Sequence, residues 1–369
     1  MTQFQAFAVC PPGLERLLAT ELRGIDLSAT TETAGGVAFE CDLDGIYRAN
    51  LEAGLASQIL LRISEFGARS LADLDKRGAR IDWTQWLPRG TPVLVKASCR
   101  RSRIYHSGAA EERILKHLSQ QLEPSESDAT PVVVRVRIDD NRCQISLDSS
   151  GEPLHRRGWR LQSGKAPLRE DLARALLLAS GWDRRSPLID PMMGSGTILI
   201  EAAAMARGLA PGRMRTFAIE KFGIHDPQRL VAIRDSAAER ALSDLPFRLF
   251  GSDRDAGALE ATSANAERAG VIEDLQLRRS SLSECLADLE VDAIHALVTN
   301  PPYGKRLGNA DELITLYQVL GKIVGQLPAT SSVAVAANDR RLALRSGLKL
   351  KTGFSADSGG SRIRALVRV

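Results

Sequence analysis

The chain has 369 residues, 44% of them hydrophobic and 25% charged, with a formal net charge of +4. That length allows two or three domains, and the composition is that of an ordinary folded protein rather than a disordered or fibrous one. No apolar run reaches bilayer-spanning length, and the start, MTQFQAFAVCPPGLE, lacks the basic and apolar regions of a secretion signal, so a cytoplasmic protein is expected.

In chain order, residues 4–9 predict a strand. After Pro11, Pro12 and Gly13, the stretch GLERLLATELRG sets Leu14, Leu17, Leu18 and Leu22 at helical spacing and stops at Gly24. GGVAFECD predicts another strand, and IYRANLEAGLASQILLRISEF a long helix running into a strand. TPVLVKASC and PVVVRVRIDDNRCQISLD read as strands, with the helix GAAEERILKHLSQQL between them. Up to about Asp148, helices and strands alternate irregularly, as in one mixed α+β region or two small ones in tandem. Arg100, Arg101 and Arg103 form one cationic cluster in this region. His155, Arg156, Arg157, Arg160, Lys165 and Arg169 form another in the segment GEPLHRRGWRLQSGKAPLRE that follows. Such clusters fit either a solvated face or a surface for a polyanion. The five cysteines (Cys10, Cys41, Cys99, Cys143, Cys285) are widely spaced and form no Cys/His cluster, which predicts buried free thiols and neither a disulfide frame nor a metal site.

From Leu188 the character changes. SPLIDPMMGSG, FRLFGSD, AIHALVTNPPYG and SSVAVAAN are apolar strands, the first three each followed by a helical pattern. Continuous apolar strands alternating with helices predict a parallel sheet covered on both faces. GLKLKTGFSADSGGSRIRALVRV reads as an edge hairpin.

Three strand ends carry chemistry. The first runs from Asp190 through Gly194, Ser195 and Gly196 to Thr197, which opens a helix. Glycines let a ligand approach the backbone, and a helix start offers free amides, although a bare structural turn has the same pattern. No Gly-Lys-Ser/Thr follows, which argues against a phosphate-cradling loop. The second is Asp253, suited either to accept hydrogen bonds from both ribose hydroxyls or to cap the next helix. It lies about sixty residues past the glycines instead of about twenty, so an inserted segment, MARGLAPGRMRTFAIEKFGIHDPQRL, intervenes. The third is Asn300-Pro301-Pro302-Tyr303. Alone it is a strand with a Pro-Pro turn. Beside the other two it suits an exocyclic amino group of a nucleobase: the Asn300 side-chain oxygen and the Pro301 carbonyl accept its hydrogens, and Tyr303 stacks on the base.

Asp190-Pro-Met-Met-Gly-Ser-Gly-Thr, Asp253 and Asn300-Pro-Pro-Tyr303 resemble motifs I, II and IV of S-adenosylmethionine-dependent amino methyltransferases. PPGLERLLATEL, IYRANLEAGLASQILLRISEFGA and IDWTQWLPRGTPVLVKAS are similar to the ferredoxin-like and THUMP regions of RNA guanine-N2 methyltransferases. GWRLQSGKAPLREDLARALLLASGWD and the inserted APGRMRTFAIEKF resemble the bacterial 23S rRNA group, the RlmL-like proteins.

The resemblance implies a ferredoxin-like region over 1–50, a THUMP RNA-binding domain over 51–150, and a Rossmann-like class I methyltransferase domain over 151–369 with an antiparallel last strand. Asp190, Met192, Gly194, Gly196 and Thr197 would contact the methionine part of the cofactor, Asp253 would hold its ribose, Arg254 would also belong to the cofactor site, and Leu168 and Arg169 would border it. Many relatives place an acid after the third strand for the adenine amino group; RRSSLSE offers Ser280 and Ser281 there, so Ser281, its backbone or Glu284 would serve.

The implied activity is methyl transfer to guanine N2, most directly in 23S rRNA. The alternatives are tRNA guanine, adenine N6, or a non-catalytic RNA-binding factor that kept the fold. Asn300 and Pro301 would orient the amino group and Tyr303 clamp the base, with no metal or covalent intermediate. Arg100, Arg101 and Arg103 would grip RNA phosphates, and Arg156, Arg157, Arg160 and Lys165 would guide RNA to the pocket. A second methyltransferase fused in some relatives is not in this sequence, so a second modification is expected from another protein.

Overall fold

The computed structural model describes residues 2–27, 30–123, 129–161, 168–302, 310–358 and 361–368. The N-terminal part contains β1 (Phe4–Val9), α1 (Glu15–Arg23), β2 (Thr30–Thr33), β3 (Gly36–Cys41), α2 (Leu43–Glu52) and β4 (Gln58–Gly67). It continues with α3 (Leu71–Gly78), β5 (Val93–Arg100), α4 (Ser107–Leu122), β6 (Val132–Asp139) and β7 (Arg142–Asp148). These seven strands form one sheet in the order β2-β3-β1-β4-β7-β6-β5. All neighbours run antiparallel except β5 and β6. The alternation that reads from the sequence as one region or two is therefore a single sheet, continuous across residue 50.

Local chemistry sets the breaks. Asp42 caps α2 through Gly45 N at 3.0 Å, and Ser70 with Asp73 forms a capping box on α3. Asp140 and Asn141 both take positive φ (49° and 62°), the backbone a two-residue hairpin needs to join β6 to β7. The pattern of residues 46–66 forms a helix that runs into a strand, as its sequence reads, with the helix ending earlier than the apolar spacing suggests. The chain leaves α2 at Glu52, and Ser57 N bonds Val9 O at 2.7 Å, which registers β4 against β1 from Val9↔Gln58 to Gln5↔Arg62. Ladder pairing with a distant strand overrides the local period.

The second part contains α5 (Glu170–Ser180), β8 (Leu188–Asp190), α6 (Thr197–Arg207), α7 (Pro227–Glu239), β9 (Leu249–Asp253), α8 (Ala256–Ala269) and β10 (Leu275–Arg279). Then follow β11 (Ala296–Thr299), α9 (Ala310–Gln326), β12 (Ser332–Ala337), α10 (Arg340–Leu344), β13 (Leu350–Ser358) and β14 (Ser361–Arg368). The sheet order is β10-β9-β8-β11-β12-β14-β13, parallel except that β14 runs antiparallel to β12 and β13. Strand order reverses between β8 and β11, and ligands of open α/β sheets bind at that reversal, beyond the carboxyl ends of the strands.

The two sheets share one apolar cluster, reaching from Ala6 through Leu172 to Val367. The segment between α6 and α7 is stitched across the N-terminal part by backbone bonds: Gly212 N to Leu51 O (2.8 Å), Ile219 N to Ser149 O (2.9 Å) and Gly223 N to Trp86 O (2.8 Å). Tyr47 Oη and His225 Nδ1 meet at 2.9 Å, and Arg229 pairs with Asp44 at 2.7 Å. The five cysteines are free thiols, four of them buried. Among the described residues, no helix is long and apolar enough to cross a membrane.

Candidate active site at the sheet reversal

Asp190 ends β8, Asp253 ends β9, and Asn300 follows β11, so the three motifs meet at the carboxyl edge where the strand order turns. The Asp190 carboxyl is 1% exposed. Its Oδ1 accepts from Thr299 Oγ1 at 2.7 Å and from Met192 N at 3.2 Å, tying the glycine loop to the strand that delivers Asn300. Burial, with a lesser push from Asp253, raises its pKa to about 7 against the bonds from Thr299 and Met192.

The glycine loop is held from outside. Gly194 N donates to Asp253 Oδ2 at 3.0 Å, Thr262 Oγ1 donates to Gly194 O at 2.8 Å, and Asn265 Nδ2 to Ser195 O at 3.2 Å. Gly196 begins α6 in the left-handed region (φ 79°), and a Cβ there would sit 2.5 Å from Thr262 Cγ2. At Gly194 (φ 54°), by contrast, a Cβ would meet nothing within 4 Å among the described residues. One side of the loop is thus packed and the other is open. Asp253 takes one backbone amide on each oxygen, Gly194 N on Oδ2 and Asp255 N on Oδ1 (3.0 Å), so each oxygen keeps a lone pair for a ligand.

Asn300 supplies the plainest sign of an awaited partner: its Oδ1 is buried and has no hydrogen-bond partner among the described residues. A buried acceptor without a donor costs about 1–3 kcal/mol, so native chains keep few. Pro301 is buried and Pro302 half-buried behind it. Tyr303 lies outside the described residues, as does Lys165.

Beyond β10, the Ser281 hydroxyl bonds Glu284 Oε2 at 2.7 Å, while the Ser280 hydroxyl is buried without a partner. Among the described residues, Ser280 thus keeps a buried hydroxyl free for a partner. Arg254 is exposed, and Met192 half-buried.

The arginine clusters divide. Arg100, Arg101 and Arg103 are exposed at the end of β5, beside Tyr105 at 84% exposure; Arg101 pairs with Asp139 at 2.9 Å. Arg156 is exposed and pairs with Glu152. Arg157 and Arg160 depart from the expectation of surface cations. Arg157 is 2% exposed, its guanidinium donating to Glu201 (3.1 Å), Leu154 O (2.8 Å) and Gly54 O (2.7 Å). Arg160 is largely buried and donates to Glu170 (2.8 Å), Thr197 Oγ1 (2.8 Å), Ser195 Oγ (3.1 Å) and Leu168 O (3.1 Å). The first is an internal tie between the two parts; the second braces the start of α6. Arg169 likewise pairs with the buried Asp171.

Sequence reading passed over Thr299, Thr262 and Asn265. Each had a signal: Thr299 is the polar end of an apolar run, and Thr262 and Asn265 are polar residues three apart on an alanine-rich helix, hence on one face.

A family model for the RlmL ferredoxin-like domain matches residues 5–60. The ribosomal RNA large subunit methyltransferase K/L of Syntrophotalea carbinolica is 34% identical over 376 residues, covering 98% of this chain and 53% of that protein. The chain spans about half the length of the curated relatives it matches. Among solved structures, a possible methylase from Clostridium difficile 630 superposes with a TM-score of 0.91 at 28% identity, covering 100% of this chain and 98% of that one. SMU.472, complexed with SAH, superposes with a TM-score of 0.90 at 26% identity over 100% and 98% of the two chains. A family model for the RMKL-like methyltransferase domain matches residues 157–355, more than half of the chain, and on that ground this chain belongs to the RMKL-like methyltransferase family.

Proposed function

We propose that this chain transfers a methyl group from S-adenosylmethionine to the exocyclic N2 of a guanine in large-subunit rRNA, in the cytoplasm. The observation that carries the reading is the buried, partnerless Asn300 Oδ1 at the sheet reversal. The site fits the cofactor: an open glycine turn at Gly194, the start of α6, and an Asp253 carboxylate with free lone pairs for two hydroxyls. The bound cofactor would supply the electrophilic methyl group. Relatives named as rRNA methyltransferases support the RNA substrate, and the N-terminal sheet with its exposed arginines is read as the THUMP-like part that grips it.

An aromatic exocyclic amine is a poor nucleophile because its lone pair is delocalised into the ring. Asn300 Oδ1 and the Pro301 carbonyl accept its two hydrogens and favour a pyramidal nitrogen with its lone pair aimed outward. Asp190, through Thr299, fixes where Asn300 stands relative to the glycine loop. Displacement at a methyl carbon is in-line, so this alignment supplies most of the acceleration. Tyr303 is proposed to stack on the base.

The test is transfer of labelled methyl to unmodified 23S rRNA and to tRNA, followed by nucleoside analysis. N2-methylguanosine in rRNA is expected; in tRNA alone it would move the substrate, and N6-methyladenosine would overturn the base. In Asn300→Ala the rate should fall about a hundredfold or more, by analogy with loss of one preorganised hydrogen-bonding group, while S-adenosylhomocysteine still binds. Unchanged methylation would remove Asn300 from the mechanism.

A further inference from the structure

Between the segment after β7 and the inserted segment lies an open cleft of about 1180 Å³, larger than the roughly 300–1,000 Å³ of small-molecule sites. Its walls come from the segment after β7, from the inserted segment and from α7. Seven arginines and three glutamates line it. The glutamates are taken: Glu152 by Arg156, Glu170 by Arg160, and Glu220 by Arg234. Arg157 and Arg169 pair with Glu201 and Asp171.

Two arginines of the inserted Gly212-Arg213-Met214-Arg215 remain without a carboxylate partner among the described residues. Arg213 donates only to the carbonyls of Ala210 (3.3 Å) and Ala269 (2.6 Å). Arg215 donates all four terminal N–H groups to carbonyls, those of Pro153 (2.8 Å), Arg156 (3.0 Å), Ser150 (3.4 Å) and Glu152, and its buried Nε has no partner, so it contributes charge to the cleft rather than a free fork. Carbonyl contacts orient a guanidinium without neutralising it. Glu201 near Arg213, and Glu152 and Asp148 near Arg215, offset this charge in part, yet the positive field is felt locally: burial and, after it, the neighbouring Arg157 push Arg215 down to about 10, and burial followed by Arg169 and Arg157 pushes His155 down to about 3. The Arg156–Glu152 pair on the rim is exposed on both sides, and such pairs exchange readily for a stronger anion.

From this arrangement we infer that the cleft is the track for the sugar-phosphate backbone of the substrate strand next to the target nucleotide, with Arg213 and Arg156 as its phosphate contacts and Arg215 adding positive charge beneath them. The inference rests on the RNA substrate proposed above. Arginine is the side chain suited to phosphate because its planar fork bonds two oxygens at once. The cleft also adjoins the active site through a shared residue. Arg160 lines it while holding Ser195 Oγ and Thr197 Oγ1 at the start of α6. The cleft and the glycine loop are thus one side chain apart.

The test measures affinity of the full chain for an unmodified 23S rRNA transcript across a salt series, for wild type, the double variant Arg213→Gln with Arg215→Gln, and Arg156→Gln alone. S-adenosylhomocysteine affinity is measured in parallel by calorimetry. Each lost phosphate contact should lower the slope of log K against log salt by about 0.7 to 0.9, with cofactor affinity unchanged. Arg156 is exposed, so its variant keeps the test sound if the double variant does not fold. Unchanged slopes in variants that still bind the cofactor would overturn the track. Loss of RNA and cofactor binding together would assign these arginines a bracing role and overturn it too. A wild-type chain that does not bind the transcript would instead bring down the RNA substrate itself.

Discussion

At the scale of single residues, the site rests on two buried polar groups, one without a partner and one bonded but titrating far from its ordinary range. Asn300 leaves an acceptor empty, and Asp190 is a carboxyl shut away from water. The Asp190 case has a measurable consequence. Its folded pKa is about 7, well above the ordinary carboxyl value, so the folded chain keeps a proton that the unfolded chain has released. That contribution to stability is complete below about pH 4 and is lost as pH rises through about 7. Asp148, buried and raised to about 6, acts in the same direction. Asp190→Asn keeps an acceptor for Thr299 and removes the titration. Its melting temperature should decline less between pH 4 and pH 8 than that of wild type, in thermal scans without cofactor. Identical slopes would mean that Asp190 is ionised when folded.

At the scale of elements, the turn into α6 is packed on one side and open on the other, and that asymmetry depends on Gly196. Gly196→Ala requires a left-handed alanine and a clash with Thr262, at a cost of about 1–3 kcal/mol. Relieving it shifts the loop, so S-adenosylhomocysteine binding should weaken at least tenfold while the circular dichroism spectrum stays intact. Unaltered affinity would show that the turn does not touch the cofactor. This turn was legible in the sequence because strand end, glycines and helix start are contiguous, and the same holds for β11 with Asn300. The change from helix to strand within residues 46–66 was legible too, but not where it falls, because nothing in that stretch announces that β1 will claim QILLRISEF as a partner. The fate of Arg157 was equally hidden. Its neighbours in sequence are basic and polar, and only the fold brings Glu201 and the Gly54 carbonyl to it.

At the scale of the whole molecule, Arg157 and the inserted segment make two sheets into one body. Arg157→Ala leaves Glu201 buried and uncompensated, a loss of about 3–5 kcal/mol. Because the apolar cluster spans both parts, that loss should lower a single calorimetric transition rather than split it. Two separated transitions in wild type would contradict the shared core. The stitched seam has one more consequence. Backbone bonds from Gly212, Ile219 and Gly223 permit little hinging, so the arginines at the end of β5 and the pocket at Asn300 stand a set distance apart. Were the β5 arginines to grip RNA and Asn300 to receive the guanine, as proposed above, the protein would act as a caliper: a guanine would be selected by how far it lies from the gripped feature, and an RNA with the right local letters but the wrong span would be left unmarked.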